Sequence, residues 1–231
     1  MEYFLEKIAA IPFEQSKKWE MQSKEQFGIL LSAPSCYARD WNVNYMEIDN
    51  IDKEEIEKLL KSAHISDKES LLADIKNSIE YGAGEDYEQF QTFWNDTPCF
   101  DIEQLGVEGR MAFSSCKSYA EKFRTLVGDG GFFAWDYSES IQVIRMGFMK
   151  GWLKYDEANE LLGQIVDATC KRYDSWKTFA VSYICGGAYF TYKNFGLNEE
   201  EADKFFDVLC GIVQNLVTDQ YGEYWNEPVK N

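Results

Sequence analysis

The sequence predicts an all-α fold, and a few observations carry that prediction. Apolar residues recur at three- and four-residue intervals through several long segments. Acidic or Asn/Ser start signals stand at the head of those segments, and only one short stretch alternates as a strand would. A chain of 231 residues suits one compact multi-helix domain spanning 1–231, or two tightly packed helical lobes. At that length roughly 70% of the unfolded surface is removable from water, so neither disulfide nor metal is required for stability.

The first clear helix runs through Asp52-Lys53-Glu54-Glu55, whose acidic residues favour a helix N-terminus, into Ile56, Leu59 and Leu60 on one face. A second, over 67–80, carries Leu71, Leu72, Ile75 and Ile79 and stops at Gly82-Ala83-Gly84. Between Val43 and Ile48 a weak alternation suggests a strand, with no partner strand in view. The stretch 97–109, with Pro98, Gly106 and Gly109, reads as an irregular connection, and any domain seam falls near 95–112.

Gly128-Asp129-Gly130-Gly131 bends the chain toward the next helix. It lacks both the Lys-Ser/Thr of a P-loop and the spacing of a dinucleotide loop, so a turn is the better reading. Asp136 then reads as the N-cap, with Glu139 as the third helical residue in a variant capping box. Tyr137, Ile141, Ile144 and Phe148 follow as a core-facing stripe. Arg145 lies about 80° to one side of it and Asp136 about 100° to the other, so any ion pair from Arg145 must reach another helix.

A helix over 156–172 carries Ala158, Leu161, Leu162, Ile165 and Ala168. Asp174-Ser175-Trp176 opens the next, with Phe179, Tyr183, Gly186, Gly187 and Phe190 along one broad side. Mid-helix glycines cost about 1 kcal/mol each relative to Ala. The pair therefore implies close approach by another helix, with a cofactor pressed against them as the alternative. Last, Asn198-Glu199-Glu200-Glu201 heads a stripe of Ala202, Phe205, Phe206, Leu209, Ile212, Val213 and Leu216.

Composition limits function. A net charge of −17 repels phosphate, which excludes general nucleic-acid binding and anionic membrane surfaces and favours a basic protein partner. The longest uncharged run, Thr178 to Tyr192, is short of the roughly 18–20 residues a membrane span needs. No signal peptide opens the chain. Its six cysteines form no C-x-x-C pair, so the expected location is cytoplasmic. With one histidine, His64, and no nucleophile, zinc or EF-hand motif, the chain reads as noncatalytic, with no cofactor and no metal.

The candidate ligand- or partner-binding residues are Trp135, Asp136, Arg145, Trp176 and Tyr183. They would line a pocket between the helices starting at Asp136 and Asp174, where Arg145 pairs with a ligand carboxylate or phosphate. The structural alternative for Arg145 is a buried interhelical ion pair. Trp225 and Tyr224 in the tail are candidate anchors, although docking onto the chain's own domain is the stronger expectation. The functional expectation is a binding module that masks a basic partner, as acidic immunity proteins do. The alternative is a small-molecule-binding protein or enzyme using that pocket.

Ala134-Trp135-Asp136, Arg145-x-Gly147, Gly151, Glu157-Ala158, Ser175-Trp176, Tyr183 and Gly186 stand in an order that resembles the bacterial family of domain of unknown function 1266, the YbeU/YbeR-like proteins. The likeness is strongest over 134–190, within a family-like core of about 25–195 that includes Trp41-Asn42-Val43. Glu139 and Gly187 stand where the family often carries Arg, which argues against an anion site at those positions. The resemblance implies a largely helical, soluble bacterial protein and brings no activity with it.

Overall fold

A computed structural model describes residues 2–20, 23–219 and 225. The α-helices follow in order: α1 (Glu2–Ala9), α2 (Lys24–Leu31), α3 (Ala33–Arg39), α4 (Lys53–Ser62), α5 (Lys68–Tyr81), α6 (Ala83–Trp94), α7 (Val107–Glu121), α8 (Arg124–Val127), α9 (Phe133–Met149), α10 (Tyr155–Arg172), α11 (Trp176–Asn194) and α12 (Glu199–Thr218). No strand occurs among the described residues, so the fold is all-α. No helix there is long and apolar enough to cross a membrane.

Local start signals set five of these helices, among them α2, where the Ser23 hydroxyl accepts from Gln26 N at 3.1 Å. The side chains of Asp52, Asp67, Ser175 and Asn198 accept from the backbone N–H groups of Glu55, Ser70, Thr178 and Glu201 at 2.8, 2.8, 3.2 and 3.3 Å. Each satisfies a donor that would otherwise be orphaned at a helix start.

α9 begins differently from its sequence. Asp136 is not its cap, because the helix already starts at Phe133 behind the left-handed turn residues Gly128 and Gly131. The free N–H of Ala134 is satisfied from a distance, by the Tyr173 hydroxyl at 3.0 Å and Ser182 Oγ at 3.3 Å. A tertiary cap replaces the local one. Asp136 instead caps a different helix, accepting from Ala83 N at 3.1 Å and Gly84 N at 2.8 Å at the head of α6. Gly82-Ala83-Gly84 is therefore a corner between α5 and α6, not only a stop.

Most of α9's 17 residues are buried, far more than the stripe of Tyr137, Ile141 and Ile144. It packs against α5, α6, α10 and α11 and forms the centre of the core. α11 is buried nearly as completely. A Cβ on Gly186 would come within 2.8 Å of Trp135 Cβ, and one on Gly187 within 2.5 Å of Leu209 Cδ1 and 2.7 Å of the Trp135 ring. The glycines thus admit α9 and α12 to the α11 backbone, so close helix contact accounts for them without a cofactor.

Val43 to Ile48 forms no strand but a run of bends, and Arg145 is the reason. Its fully buried guanidinium donates to the carbonyls of Asn42 (2.9 Å), Tyr45 (3.0 Å), Met46 (3.3 Å) and Glu47 (3.1 Å), and to Asn42 Oδ1 (3.0 Å) and Cys36 Sγ (3.0 Å). Backbone carbonyls that a sheet would pair are gathered around one side chain. The expected interhelical ion pair does not form.

Candidate functional site

One face of α9 lines a cleft between neighbouring helices. Trp135, Asp136, Glu139, Gln142, Val143 and Met146 follow the three- and four-residue spacing of a single helical face. Together they floor a cleft of about 400 Å³, within the range of ligand-binding pockets. Asp74 and Ser78 of α5 form the opposite wall, the end of α4 contributes Leu59, and Arg39, Trp41 and Phe190 close the rim. A second hollow of about 290 Å³ shares Ser78, Asp136 and Phe190 and continues toward Asp86 and Lys193.

The polar groups of the cleft divide into satisfied and unsatisfied. Asp136 is nearly inaccessible and holds two backbone N–H groups. Burial outweighs those donors and pushes its carboxyl up to about 7. Glu139 accepts a short hydrogen bond from the Ser35 hydroxyl and one from Arg39 Nη2 at 3.5 Å. Arg39 also donates to the Ser35 carbonyl at 3.0 Å and stands 5.3 Å from the Trp41 ring centre. In the second hollow, Asp86 is already engaged by the Tyr189 hydroxyl at 2.7 Å and Lys193 Nζ at 2.5 Å.

Two acceptors remain. Asp74 is half-buried, makes no ion pair or hydrogen bond, and has its pKa raised by desolvation. Gln142 is buried and donates through Nε2 to the Ser32 carbonyl at 3.3 Å and to Cys36 Sγ at 2.8 Å. The carbonyl partner fixes which end of the amide is nitrogen. Oε1 then has no donor among the described residues, a cost of about 1–3 kcal/mol when such an acceptor is buried.

The five candidate residues do not gather into one pocket. Trp135 and Asp136 line the cleft. Tyr183 sits behind them, its ring 5.2 Å from Trp135 and its hydroxyl 3.2 Å from Ser35 Oγ, so it touches the cleft only through its neighbours. Arg145 is spent on the 42–47 bends. Trp176 lies elsewhere, stacked on Trp225 at 4.9 Å and edge-on to Trp19 at 4.8 Å. Trp225 docks on its own domain, fully buried, with Nε1 donating to the Leu30 carbonyl at 2.9 Å. Tyr224 lies outside the described residues.

Sequence reasoning missed Asp74 and Gln142, and it read Glu139 as a capping residue and as a departure from the family's Arg, not as part of a cleft. The spacing of Glu139, Gln142, Val143 and Met146 after Trp135 was the available signal: a second, polar-flecked stripe beside the apolar one. Among the described residues, no group of three His, Cys, Asp or Glu side chains is placed to hold a metal ion.

The model of the family described as protein of unknown function (DUF1266) matches residues 37–228. The chain is also 27% identical over 135 residues to the uncharacterized protein YbeR of Escherichia coli (strain K12), a match covering 57% of this chain and 56% of YbeR. The match thus spans little more than half the length of that relative. No solved structure gives a significant match.

Proposed function

The chain belongs to the DUF1266 family, and on that premise we propose that it is a noncatalytic protein-binding module whose acidic cleft receives a basic protein partner. The observation that carries this reading is the make-up of the cleft. Two carboxylates, Asp74 and Glu139, and the nearly inaccessible carboxyl of Asp136 line it beside Trp41, Trp135 and Phe190, with Arg39 as the one cation of the lining. Carboxylates with aromatic walls suit a cationic, partly apolar side chain. The net charge of −17 adds long-range steering of a basic partner. Binding is favoured over catalysis because Asp136 and Glu139 already hold donors, which suits holding a shape more than moving a proton. An immunity-like masking role fits this physical logic.

The test is capture from a lysate of the source organism, at low and at moderate salt, with the wild-type chain and a Ser78→Trp variant that fills the cleft. The expected result is a basic protein retained by the wild type at low salt, shed as salt rises, and lost with Ser78→Trp. Retention of no basic protein would refute the reading, as would equal retention by both chains.

A further inference from the structure

The two unsatisfied acceptors specify more than a basic surface. Glu139 is neutralised by Arg39, and both oxygens of Asp136 hold the head of α6. What remains without a partner among the described residues is one half-buried carboxylate, Asp74, and one buried carbonyl oxygen, Gln142 Oε1. Both line the same cleft, whose other surfaces near them include the apolar side chains of Leu59, Val143 and Met146.

We propose that the cleft takes the end of one basic side chain: an alkyl stem carrying a single positive charge and at least two N–H donors, as in lysine or arginine. This rests on reading the cleft as the partner site. The apolar residues cover the stem, as long basic side chains allow. The charge meets Asp74, and one N–H satisfies Gln142 Oε1. A neutral stem would leave both acceptors unpaired, and an anion would meet carboxylates. A dication would bring two charges to one free carboxylate beside Arg39. Occupation should also draw the carboxyl of Asp74 back down, because a cation opposes the desolvation that raises it.

The probes are N-acetyl-arginine amide and N-acetyl-lysine amide, with N-acetyl-norleucine amide as the uncharged stem, titrated into the full chain and followed by amide chemical shifts. Both cations should give saturable shifts along α5 and α9, and the norleucine derivative none. Asp74→Asn should weaken cation binding about tenfold or more. It removes no internal contact, so the fold should persist. Glu54→Gln, exposed at the other end of α4, removes the same charge and should leave the affinity unchanged.

Absence of saturable binding would overturn the inference, as would an affinity that Asp74→Asn leaves untouched. If that happens while a basic protein is still lost with Ser78→Trp, the partner-binding function stands and only its cation site falls. If the cations bind through Asp74 but no basic protein is retained, the cation site stands and the protein partner falls.

Discussion

Asp136 makes a quantitative prediction about pH. Its carboxyl has an ordinary value of 3.8 and is pushed up to about 7 in the folded chain. The folded state therefore holds that proton more tightly than the unfolded state. The contribution is fully present below the unfolded value and is lost as pH rises through about 7. A rise of about 3 units at 1.36 kcal/mol each totals about 4 kcal/mol, of which roughly 2.5 kcal/mol falls between pH 5 and pH 8. Asp136→Asn cannot titrate. Its amide keeps one acceptor for the α6 N–H pair and turns an NH₂ toward the other, a cost of about 1–3 kcal/mol. The variant should be the less stable chain at pH 5, and the gap should close or reverse by pH 8. Urea unfolding followed by tryptophan fluorescence across that range measures the difference directly, since every other carboxylate is common to both chains. Parallel stability profiles would refute the reasoning, because the burial of Asp136 would then have no linked proton.

Three further substitutions probe the scaffold. Arg145→Met leaves the carbonyls of 42–47 without their donor, at about 1–3 kcal/mol for each that stays buried and unpaired, and should lower stability in denaturant unfolding; a near-neutral result would restore Arg145 as a ligand residue. Gly187→Ala drives a Cβ against Leu209 and Trp135 and should cost about 1–3 kcal/mol by thermal melting, whereas an unchanged melting temperature would mean that α11 and α12 separate easily. Trp225→Ala removes a fully buried ring stacked on Trp176 and should cost about 3–5 kcal/mol. An unchanged unfolding midpoint would show that the tail contributes nothing to the core.

Much of the fold was legible because several of the helix starts are written locally. Asp52, Asp67, Ser175 and Asn198 each cap the helix they precede, and the apolar spacing behind them names the buried face. α9 was misplaced for the opposite reason. Its first turn is capped by Tyr173 and Ser182, 39 and 48 residues away, so an Asp free of local duty was taken for its cap. The 43–48 stretch failed similarly: its alternation was real, but the carbonyls went to Arg145 and not to a neighbouring strand. The cleft was the least legible part. Asp74 and Gln142 look like ordinary polar helix residues in sequence, and only tertiary packing leaves one without a partner and buries the other.

The residues that carry the family resemblance divide by the work they do. Trp135 fills the space that Gly186 and Gly187 leave open. Asp136 joins α9 to α6. Arg145 shapes the 42–47 bends, and Ser175 starts α11. Apart from the local cap by Ser175, these contacts link segments far apart in the chain, and they hold α9 at the centre. These positions make a packing code, and that is why recognising them predicts the fold without naming a reaction. Trp135 and Asp136, with Trp41 from the upstream part of the likeness, also line the cleft, while its unpartnered acceptors, Asp74 and Gln142, lie outside the motif. The scaffold and the proposed binding groups are therefore carried by largely separate residues.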